Sequence, residues 1–348
     1  MKAHVWLRRI MVILLVLIAL GGIKGIDLYR KAFAPNFFVP GNKKVYLYIA
    51  TGSTYEGVIT KIKALKIVRN IKSLEWTAEK KKYPNHINPG KYRIRNRMSN
   101  NEFINMLRSG RQEPVKLTFN HIRTLEQFSE RIAQQLEFDA PTLLDLLHSD
   151  SIQKEYGFNR YTISCMFIPN TYEFYWNTPA YKFIERMNKE YESFWNIKRK
   201  HKADKLNMTR EEVITLASIV EQETDKSDEK ARVAGVYLNR LKKGMRLQAD
   251  PTVIFAVGNF NIKRVLRVHY QINSPYNTYR IDGLPPGPIC FPEIESIDAV
   301  LNYENHNYLY MCAKPDFSGY HVFARSLSEH NRNAELYRRE LNRRRIYR

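Results

Sequence analysis

The sequence predicts an α+β protein with about two domains behind an N-terminal transmembrane helix. Three observations support this class. The apolar run Ile10–Ile23 carries no charge, strand and helix patterns alternate between residues 45 and 119, and a long helix pattern after Thr209 is apolar around most of its circumference. The length of 348 residues also fits two domains at roughly 150 residues each.

Composition excludes some classes of protein and indicates an anionic partner. Hydrophobic residues make up 44% of the chain, which is enough for a sizeable core and excludes global disorder. The 56 Lys and Arg residues exceed the 35 Asp and Glu residues by 21, as in proteins that bind nucleic acid, a membrane surface or an acidic polymer. Cys165, Cys290 and Cys312 are too scattered for a disulfide framework or a zinc motif, and no metal or cofactor is predicted.

Residues 1–31 are predicted to form a short cytoplasmic flank and a transmembrane anchor. The uncharged run Ile10–Ile23 has only fourteen residues. Spanning needs about twenty, but the flanking Arg8, Arg9 and Lys24 can snorkel toward the headgroups. A cleaved signal peptide and a buried core helix are the alternatives. The simplest orientation leaves the rest of the chain on the extracytoplasmic side.

Residues 32–44 are predicted to be a linker, because Pro35, Pro40 and Gly41 interrupt them. The patterns that follow predict a small α/β subdomain over residues 45–119, with strand 45–50, helices 54–65 and 73–81, strand 91–95, helix 99–110 and strand 115–119. Eight Lys and Arg residues between Lys61 and Lys82 form either a solvated face or a surface for an anionic polymer or lipid headgroups. Residues 120–348 make up the larger domain.

The helix pattern that begins at Thr209 carries the densest chemistry. Thr209 and Glu212 have the spacing of a capping box, and the apolar residues that follow cover about 220° of the helix. Glu221 and Glu223 lie at opposite edges of that apolar arc. Partial desolvation would raise the pKa of either carboxyl and suit it to general acid catalysis, whereas pairing of both with Lys or Arg would be purely structural. The spacing does not choose between the two carboxyls.

Further elements are predicted downstream of this helix. A second helix begins near Ser227, and Asp250 is predicted to cap a short helix with Pro251 in its first turn. Tyrosines, prolines and glycines crowd residues 274–289, which suits either carbohydrate recognition or a rigid connector. A hairpin over residues 307–325 and a basic helix from about Ser328 complete the chain.

Several motifs in this order resemble the YceG-like (MltG) family of endolytic murein transglycosylases. They are LASIVEQET at 216–224, AGVYLNRL at 234–241, LQADPTV at 247–253, SPYNTY at 274–279 and GLPPGPI at 283–289. Gly319, His321, Phe323, Glu329 and His330 fit the family's closing pattern. Residues 90–92, 98–99 and 107–110 resemble its LysM-like subdomain, which would make residues 45–119 that subdomain and residues 120–348 the catalytic domain.

The resemblance implies a catalytic residue and a reaction. It assigns the catalytic acid to Glu221, on a buried catalytic helix. The enzyme would cleave the β-1,4 bond between N-acetylmuramic acid and N-acetylglucosamine, leave a 1,6-anhydro end and terminate nascent glycan strands. Candidate substrate contacts, each of which could equally hold the fold, are Glu223, Gln248, Asp250, Asn277 and Tyr279.

The sequence departs from the family just before the predicted catalytic domain core. Where the family has a Glu-Gly pair and then Phe-Pro-Asp-Thr-Tyr, this chain has Ser164-Cys165 and then Phe167-Ile168-Pro169-Asn170-Thr171-Tyr172. An essential carboxylate at those positions is therefore not expected. These departures do not alter the motif that contains Glu221.

The predicted partners and location follow from the anchor and the resemblance. We expect peptidoglycan glycan strands as substrate, the membrane through the N-terminal helix, and peptidoglycan synthases as further partners. The location would be the inner (cytoplasmic) membrane, crossed once, with the catalytic domain outside. A non-catalytic peptidoglycan-binding scaffold is the alternative function. Nucleic acid binding is not predicted, because no binding motif accompanies the charge of +21.

Overall fold

The computed structural model describes residues 2–41, 43–262 and 264–344, with side chains from Trp6 onward. The ends of the predicted flank and of the predicted catalytic domain therefore lie outside the described residues. The chain forms two compact units. Unit 1 comprises Met1–Lys116 and Glu173–Thr178, and unit 2 comprises Leu117–Tyr172 and Pro179–Arg348. The architecture is mixed helix and sheet, as predicted, with helices dominating.

The first helix of unit 1, α1 (Lys2–Phe33), is long and apolar enough to cross a membrane. Its segment Trp6–Phe33 has 28 residues and a mean hydropathy of 2.3 in its most apolar window, none of which is buried. The alternative of a buried core helix is therefore wrong for this chain. The helix also continues without a break past Lys24, through Arg30 and Lys31.

The body of unit 1 packs helices against one face of a small sheet. Strands β1 (Val45–Ile49) and β2 (Gly90–Ile94) pair antiparallel. The helices are α2 (Tyr55–Ala64), α3 (Ile71–Lys80) and α4 (Asn100–Arg108). Alternate strand residues such as Leu47 and Tyr92 are buried in the core, as the period of two along a strand requires. Ser99 and Glu102 form a capping box at the start of α4, the helix predicted over residues 99–110.

Buried amides in unit 1 hold the end of α1. The side chain of Asn100 donates a hydrogen bond of 2.8 Å to the carbonyl of Lys31, in the last turn of α1. Asn36 donates to the Asn100 side-chain oxygen at 2.7 Å, and both residues are almost fully buried. A helix leaves its last carbonyls without internal partners, so these amides satisfy one of them and fix the helix end to the unit.

The strands β3 (Val115–Phe119) and β4 (Asn170–Phe174) form a second two-stranded sheet. Unit 2 is mainly helical. Its first helices are α5 (Leu125–Ala133), α6 (Ala140–His148), α7 (Asp150–Glu155), α8 (Ala180–Phe194) and α9 (Ile197–Leu206). They are followed by α10 (Arg210–Glu223), α11 (Ser227–Lys242), α12 (Asp250–Val257) and α13 (Ile294–Leu301). The predicted hairpin is present as β5 (Tyr310–Ala313) and β6 (His321–Ala324), before α14 (Leu327–Arg343).

Helix α10 lies at the centre of unit 2. All eight residues from Val213 to Val220 are buried, in keeping with the wide apolar arc. The helix packs against α9, α11, α12 and α13. Because of this position, both edges of the apolar arc, where Glu221 and Glu223 lie, contact side chains from other helices.

One predicted cap is wrong. Asp250 was expected to cap α12 from outside, but it is the first residue of that helix, and Ala249 precedes it as the cap. Pro251 still lies in the first turn, where no backbone N–H is needed. The Asp250 carboxylate accepts hydrogen bonds from tyrosines instead of capping the backbone.

Candidate active site

The two carboxyls predicted at opposite edges of α10 lie in different surroundings. Glu221 and Glu223 are two residues apart, which separates them by about 200° around a helix. The predicted capping box begins the helix: the Thr209 hydroxyl accepts from the Glu212 N–H at 3.1 Å, and the Glu212 carboxylate accepts from the Thr209 N–H at 2.7 Å. The capping box defines where α10 begins, and the helix geometry from that point places Glu221 and Glu223 on different sides of the helix.

Glu221 is held in a nearly buried ion pair. Its Oε2 accepts hydrogen bonds from the Lys230 ammonium at 3.3 Å and from the Ser296 hydroxyl. Only 7% of the Lys230 side chain and 13% of the Glu221 side chain is exposed. Lys230 also pairs with the exposed Glu295 at 3.2 Å. Pairing with a Lys or Arg was the purely structural alternative that the sequence allowed for Glu221 and Glu223. Glu221 has such a partner in Lys230.

The remaining part of Glu221 faces a polar cavity of about 410 Å³. The other residues that line the cavity are His121, Ile122, Arg123, Gln222, Asp225, Cys290 and Phe291. Glu221 Oε1 makes no hydrogen bond within the described ranges of the chain. A polar ligand in the cavity would therefore lie against the Glu221 side chain.

Glu223 lies in the environment of a proton donor. Burial raises the pKa of its carboxyl to about 7, and the negative charge of Asp250 adds to the increase. The Tyr237 hydroxyl donates a hydrogen bond of 2.5 Å to Glu223 Oε1 and opposes the increase, as do the charges of His321 and Arg240. A carboxyl with this pKa is about half protonated at neutral pH, which suits general acid and base catalysis.

Asp250 and two tyrosines form a hydrogen-bonded group beside Glu223. Asp250 Oδ1 accepts from the Tyr279 hydroxyl at 2.6 Å and from the Tyr270 hydroxyl at 3.1 Å. The two tyrosine rings lie 4.3 Å apart between centroids. Burial, and then the Asp250 charge, raises the pKa of Tyr279 far above neutral, so its hydroxyl stays protonated and donates.

The last two candidate residues lie in contrasting positions. Asn277 is fully buried, and its amide donates to the carbonyls of Tyr270 at 3.0 Å and of Ile272 at 2.8 Å. It therefore supports the loop that carries the two tyrosines. Gln248 is exposed, and its φ of 50° lies in the left-handed region, where a residue with a Cβ is strained. Such strain recurs at functional sites, and the Gln248 side chain has no hydrogen-bond partner among the residues described.

Comparisons with known proteins decide the family. The model of the YceG-like family matches residues 47–336, which is most of the chain. The chain belongs to the YceG-like family.

Named proteins related to this YceG-like chain cover most of its length. It is 29% identical over 334 residues to an endolytic murein transglycosylase of Bacillus subtilis strain 168, covering 90% of this chain and 91% of the relative. It is 27% identical to the protein of the same name from Streptococcus pneumoniae strain D39, covering 95% of this chain but only 65% of the relative.

A solved structure supports the same fold. The crystal structure of a yceG-like protein from Listeria monocytogenes superposes with a TM-score of 0.56 at 26% identity. The superposition covers 84% of this chain and 99% of the Listeria chain. Both the sequence and the architecture therefore place the chain in the YceG-like family.

Several site residues of this YceG-like chain were not predicted. Lys230 and Ser296 reach Glu221 from α11 and α13, and Tyr237 reaches Glu223 from α11. Glu229, only 3% exposed, accepts from both the backbone N–H and the ring Nδ1 of His321. Tyr237 and His321 lie within motifs that carried the resemblance, which was the one available signal. Lys230 and Ser296 lie 9 and 75 residues from Glu221 in the sequence, and these separations do not predict that either residue contacts Glu221.

Proposed function

We propose that the chain is an endolytic lytic transglycosylase of peptidoglycan. It cleaves the β-1,4 bond between N-acetylmuramic acid and N-acetylglucosamine and leaves a 1,6-anhydro end, which would terminate nascent glycan strands. Two relatives that bear the name endolytic murein transglycosylase support the proposal. The observation that carries it is the Glu223 carboxyl, which accepts a hydrogen bond from the Tyr237 hydroxyl and whose pKa is raised by burial and by the charge of Asp250.

We base the choice of Glu223 as the catalytic acid over Glu221, the residue that the family resemblance assigned, on the raised pKa of the Glu223 carboxyl. A general acid must hold a proton near neutral pH. Burial and the Asp250 charge provide this at Glu223, whereas Glu221 is engaged by the buried ammonium of Lys230. Glu221 remains the rival assignment, since its side chain lines the polar cavity.

The proposed reaction has two proton transfers at the same residue. Glu223 first gives its proton to the glycosidic oxygen while the bond from that oxygen to C1 of the muramyl sugar breaks. The Glu223 carboxylate then takes the proton from the muramyl 6-hydroxyl while the oxygen of that hydroxyl forms a bond to C1. The carboxyl ends as it began, protonated, so no water is consumed. An intramolecular hydroxyl has a high effective molarity, and one acid can therefore replace the usual pair of carboxylates.

Asp250 and its tyrosines would support the transition state. Cleavage places positive charge on the sugar ring. The negative charge of Asp250 stabilises that charge electrostatically, and the Tyr270 and Tyr279 hydroxyls hold the carboxylate in place. The exposed amide of Gln248 is a candidate contact for a sugar hydroxyl or acetamido group.

We also propose where the enzyme acts. Helix α1 would anchor the chain in the inner (cytoplasmic) membrane, crossing it once, with unit 2 and the part of unit 1 that follows α1 on the extracytoplasmic side where glycan strands lie. Residues 45–119 would act as the LysM-like subdomain and residues 120–348 as the catalytic domain. Peptidoglycan synthases, which make the strands, are the further partners expected at that surface.

Digestion of isolated sacculi tests the proposed function. The full-length chain, purified in detergent, should release soluble fragments that end in 1,6-anhydro-N-acetylmuramic acid, detected by mass spectrometry. An endolytic enzyme should release fragments of many lengths from the start of the reaction. Sacculi that bind the chain but yield no anhydro ends would overturn the proposal in favour of a non-catalytic wall-binding scaffold.

A further inference from the structure

The outer face of the β1–β2 sheet in unit 1 carries an exposed tyrosine, Tyr48, beside two half-buried aromatic rings, Tyr46 on the same strand and Trp176. Because side chains alternate along a strand, Leu47 and Ile49 lie in the core while Tyr46 and Tyr48 lie on the opposite face. We call Tyr46, Tyr48 and Trp176 the aromatic face. Tyr48 is 41% exposed although its ring is largely apolar. Exposed apolar groups that cluster are typical of binding surfaces.

The rings of the aromatic face contact one another. The Tyr48 and Trp176 centroids are 5.2 Å apart with the rings edge to face, and the Tyr46 and Tyr48 centroids are 6.5 Å apart. The strand register places Arg93 opposite Tyr46 and Lys91 opposite Tyr48. Lys91 also lies 4.2 Å from the centre of the Tyr46 ring. The face therefore combines fixed aromatic rings with cations.

The aromatic face adjoins a cavity of about 600 Å³ through two shared residues. Arg93 and Glu113 both line the cavity, and the Glu113 carboxylate accepts a hydrogen bond of 2.8 Å from the Tyr46 hydroxyl. Arg95 and Arg111 line the same cavity. We call it the arginine cavity.

The charges of the arginine cavity are not balanced. Its two acidic side chains have partners: Glu113 holds Tyr46 and Arg93, and Glu102 closes the capping box of α4. The exposed guanidinium groups of Arg95 and Arg111 make no ion pair or hydrogen bond within residues 2–41, 43–262 and 264–344. They are therefore available to an external anion, and a guanidinium binds a carboxylate through two parallel hydrogen bonds.

We propose that the aromatic face and the arginine cavity together bind a peptidoglycan strand that still carries its stem peptides. The apolar faces of the sugar rings lie on Tyr48 and Trp176, and carboxylates of the peptides pair with Arg95 and Arg111. The identity of this ligand rests on the proposed function, but binding itself needs no catalysis. This surface would bind strands that still carry their stem peptides and make the protein selective for them over strands without peptides.

The charge pattern favours this partner over two others. Grooves that bind single-stranded nucleic acid track the phosphates with positive charge, and anionic membranes attract clusters of Lys and Arg. Two of the five charged residues that line the arginine cavity, Glu102 and Glu113, are acidic and would repel phosphates. The same carboxylates can accept hydrogen bonds from sugar hydroxyls and peptide amides.

Co-sedimentation with two forms of peptidoglycan tests the proposal. The full-length chain carrying Glu223→Gln is incubated with intact sacculi and with sacculi whose stem peptides an amidase has removed. Added changes are Arg95→Gln with Arg111→Gln, or Tyr48→Ala with Trp176→Ala. The matched control is Lys198→Gln with Arg338→Gln, which removes the same two charges from exposed positions in unit 2. Thermal unfolding confirms that each variant is folded.

The arginine pair should weaken binding to intact sacculi about tenfold, the effect expected from losing charge-assisted hydrogen bonds, and leave binding to stripped glycan unchanged. The aromatic pair should weaken binding to both forms. The control should bind like the parent.

Equal binding of the arginine variant and its parent to intact sacculi would overturn the proposal. So would loss of the same size in the control. If the arginine variant instead loses binding chiefly to phosphatidylglycerol vesicles or to oligo-dT, the partner is a membrane or a nucleic acid. Release of anhydro ends by the unmodified chain is scored separately, so failure of this surface is distinguishable from failure of the proposed function.

Discussion

At the scale of single residues, the contrast between Glu221 and Glu223 leads to the sharpest prediction. Glu223→Gln should lower the release of anhydro fragments by roughly 10²–10⁴-fold or more, because Gln cannot donate a proton to the leaving oxygen. Gln is nearly isosteric, so thermal unfolding should change little. Both are measured on the purified full-length chain with sacculi as substrate.

Glu221→Gln is the matched control on the same helix. It leaves the nearly buried Lys230 with the exposed Glu295 as its remaining ion-pair partner, so we expect it to cost about 1–3 kcal/mol of stability while the folded fraction keeps most of its activity. Activity is therefore measured well below the unfolding temperature. The opposite result, an active Glu223→Gln chain and an inactive but folded Glu221→Gln chain, would return the acid to Glu221.

The pKa of Glu223 sets the expected pH dependence. As the pH rises through about 7 the acid loses its proton, so kcat/KM should fall on the alkaline side of that value. The Tyr237 hydrogen bond lowers this pKa, so Tyr237→Phe should move the alkaline limb to higher pH. A pH–rate profile of both chains checks the shift. A limb that stays in place in Tyr237→Phe would mean that another group controls it.

At the scale of elements, the Glu221–Lys230 pair links α10 to α11, and Ser296 adds α13. Lys230→Met should destabilise unit 2 by about 3–5 kcal/mol, since it leaves a nearly buried carboxylate without its cation. The double change Lys230→Met with Glu221→Gln should recover much of that loss. Denaturant unfolding of the single and double variants gives the coupling energy. Additive losses would show that the pair does not act as a unit.

Element boundaries followed from local chemistry where a polar cap begins a helix. Thr54, Ser99 and Thr209 each accept the backbone hydrogen bond expected of a cap. The helix predicted from Ser73 instead begins at Ile71, because Asn70 accepts the hydrogen bond from the Ser73 N–H. Asp250 fails as a cap for a tertiary reason, since two tyrosines from a later loop occupy its carboxylate.

At the scale of the whole molecule, α1 predicts how the chain fractionates. The unmodified protein should remain in the membrane pellet after extraction with alkaline carbonate, because an apolar helix of this length is buried in the bilayer. Leu14→Arg with Leu17→Arg should release it, since each central arginine costs about 2.5–3.5 kcal/mol on insertion. Fractionation followed by immunoblotting measures both.

The matched control for the anchor is Leu327→Arg with Leu336→Arg, at leucines of α14 that are similarly exposed in the structure. That variant should remain in the pellet. Extraction of the unmodified chain by carbonate would exclude a spanning α1 and favour a peripheral protein or a cleaved leader.

The sequence by itself determined the features that depend on neighbours along the chain. Unbroken hydropathy over Ile10–Ile23 identified α1, the capping box at Thr209 set the start of α10, and the apolar arc put Glu221 and Glu223 at its edges. Ordered motifs identified the family. Each of these signals is local, because helix periodicity and capping act within a few residues.

Only the tertiary structure decided how the two carboxyls differ. The groups that pair Glu221 lie 9 and 75 residues away, and the tyrosine that contacts Glu223 lies 14 residues away on α11. Asp250 and its tyrosines come from α12 and the loop beyond it. A pKa depends on burial and on charges close in space, so one helix sequence produces an ion pair at one edge and a carboxyl with a raised pKa at the other only once α11, α12 and α13 have packed around it.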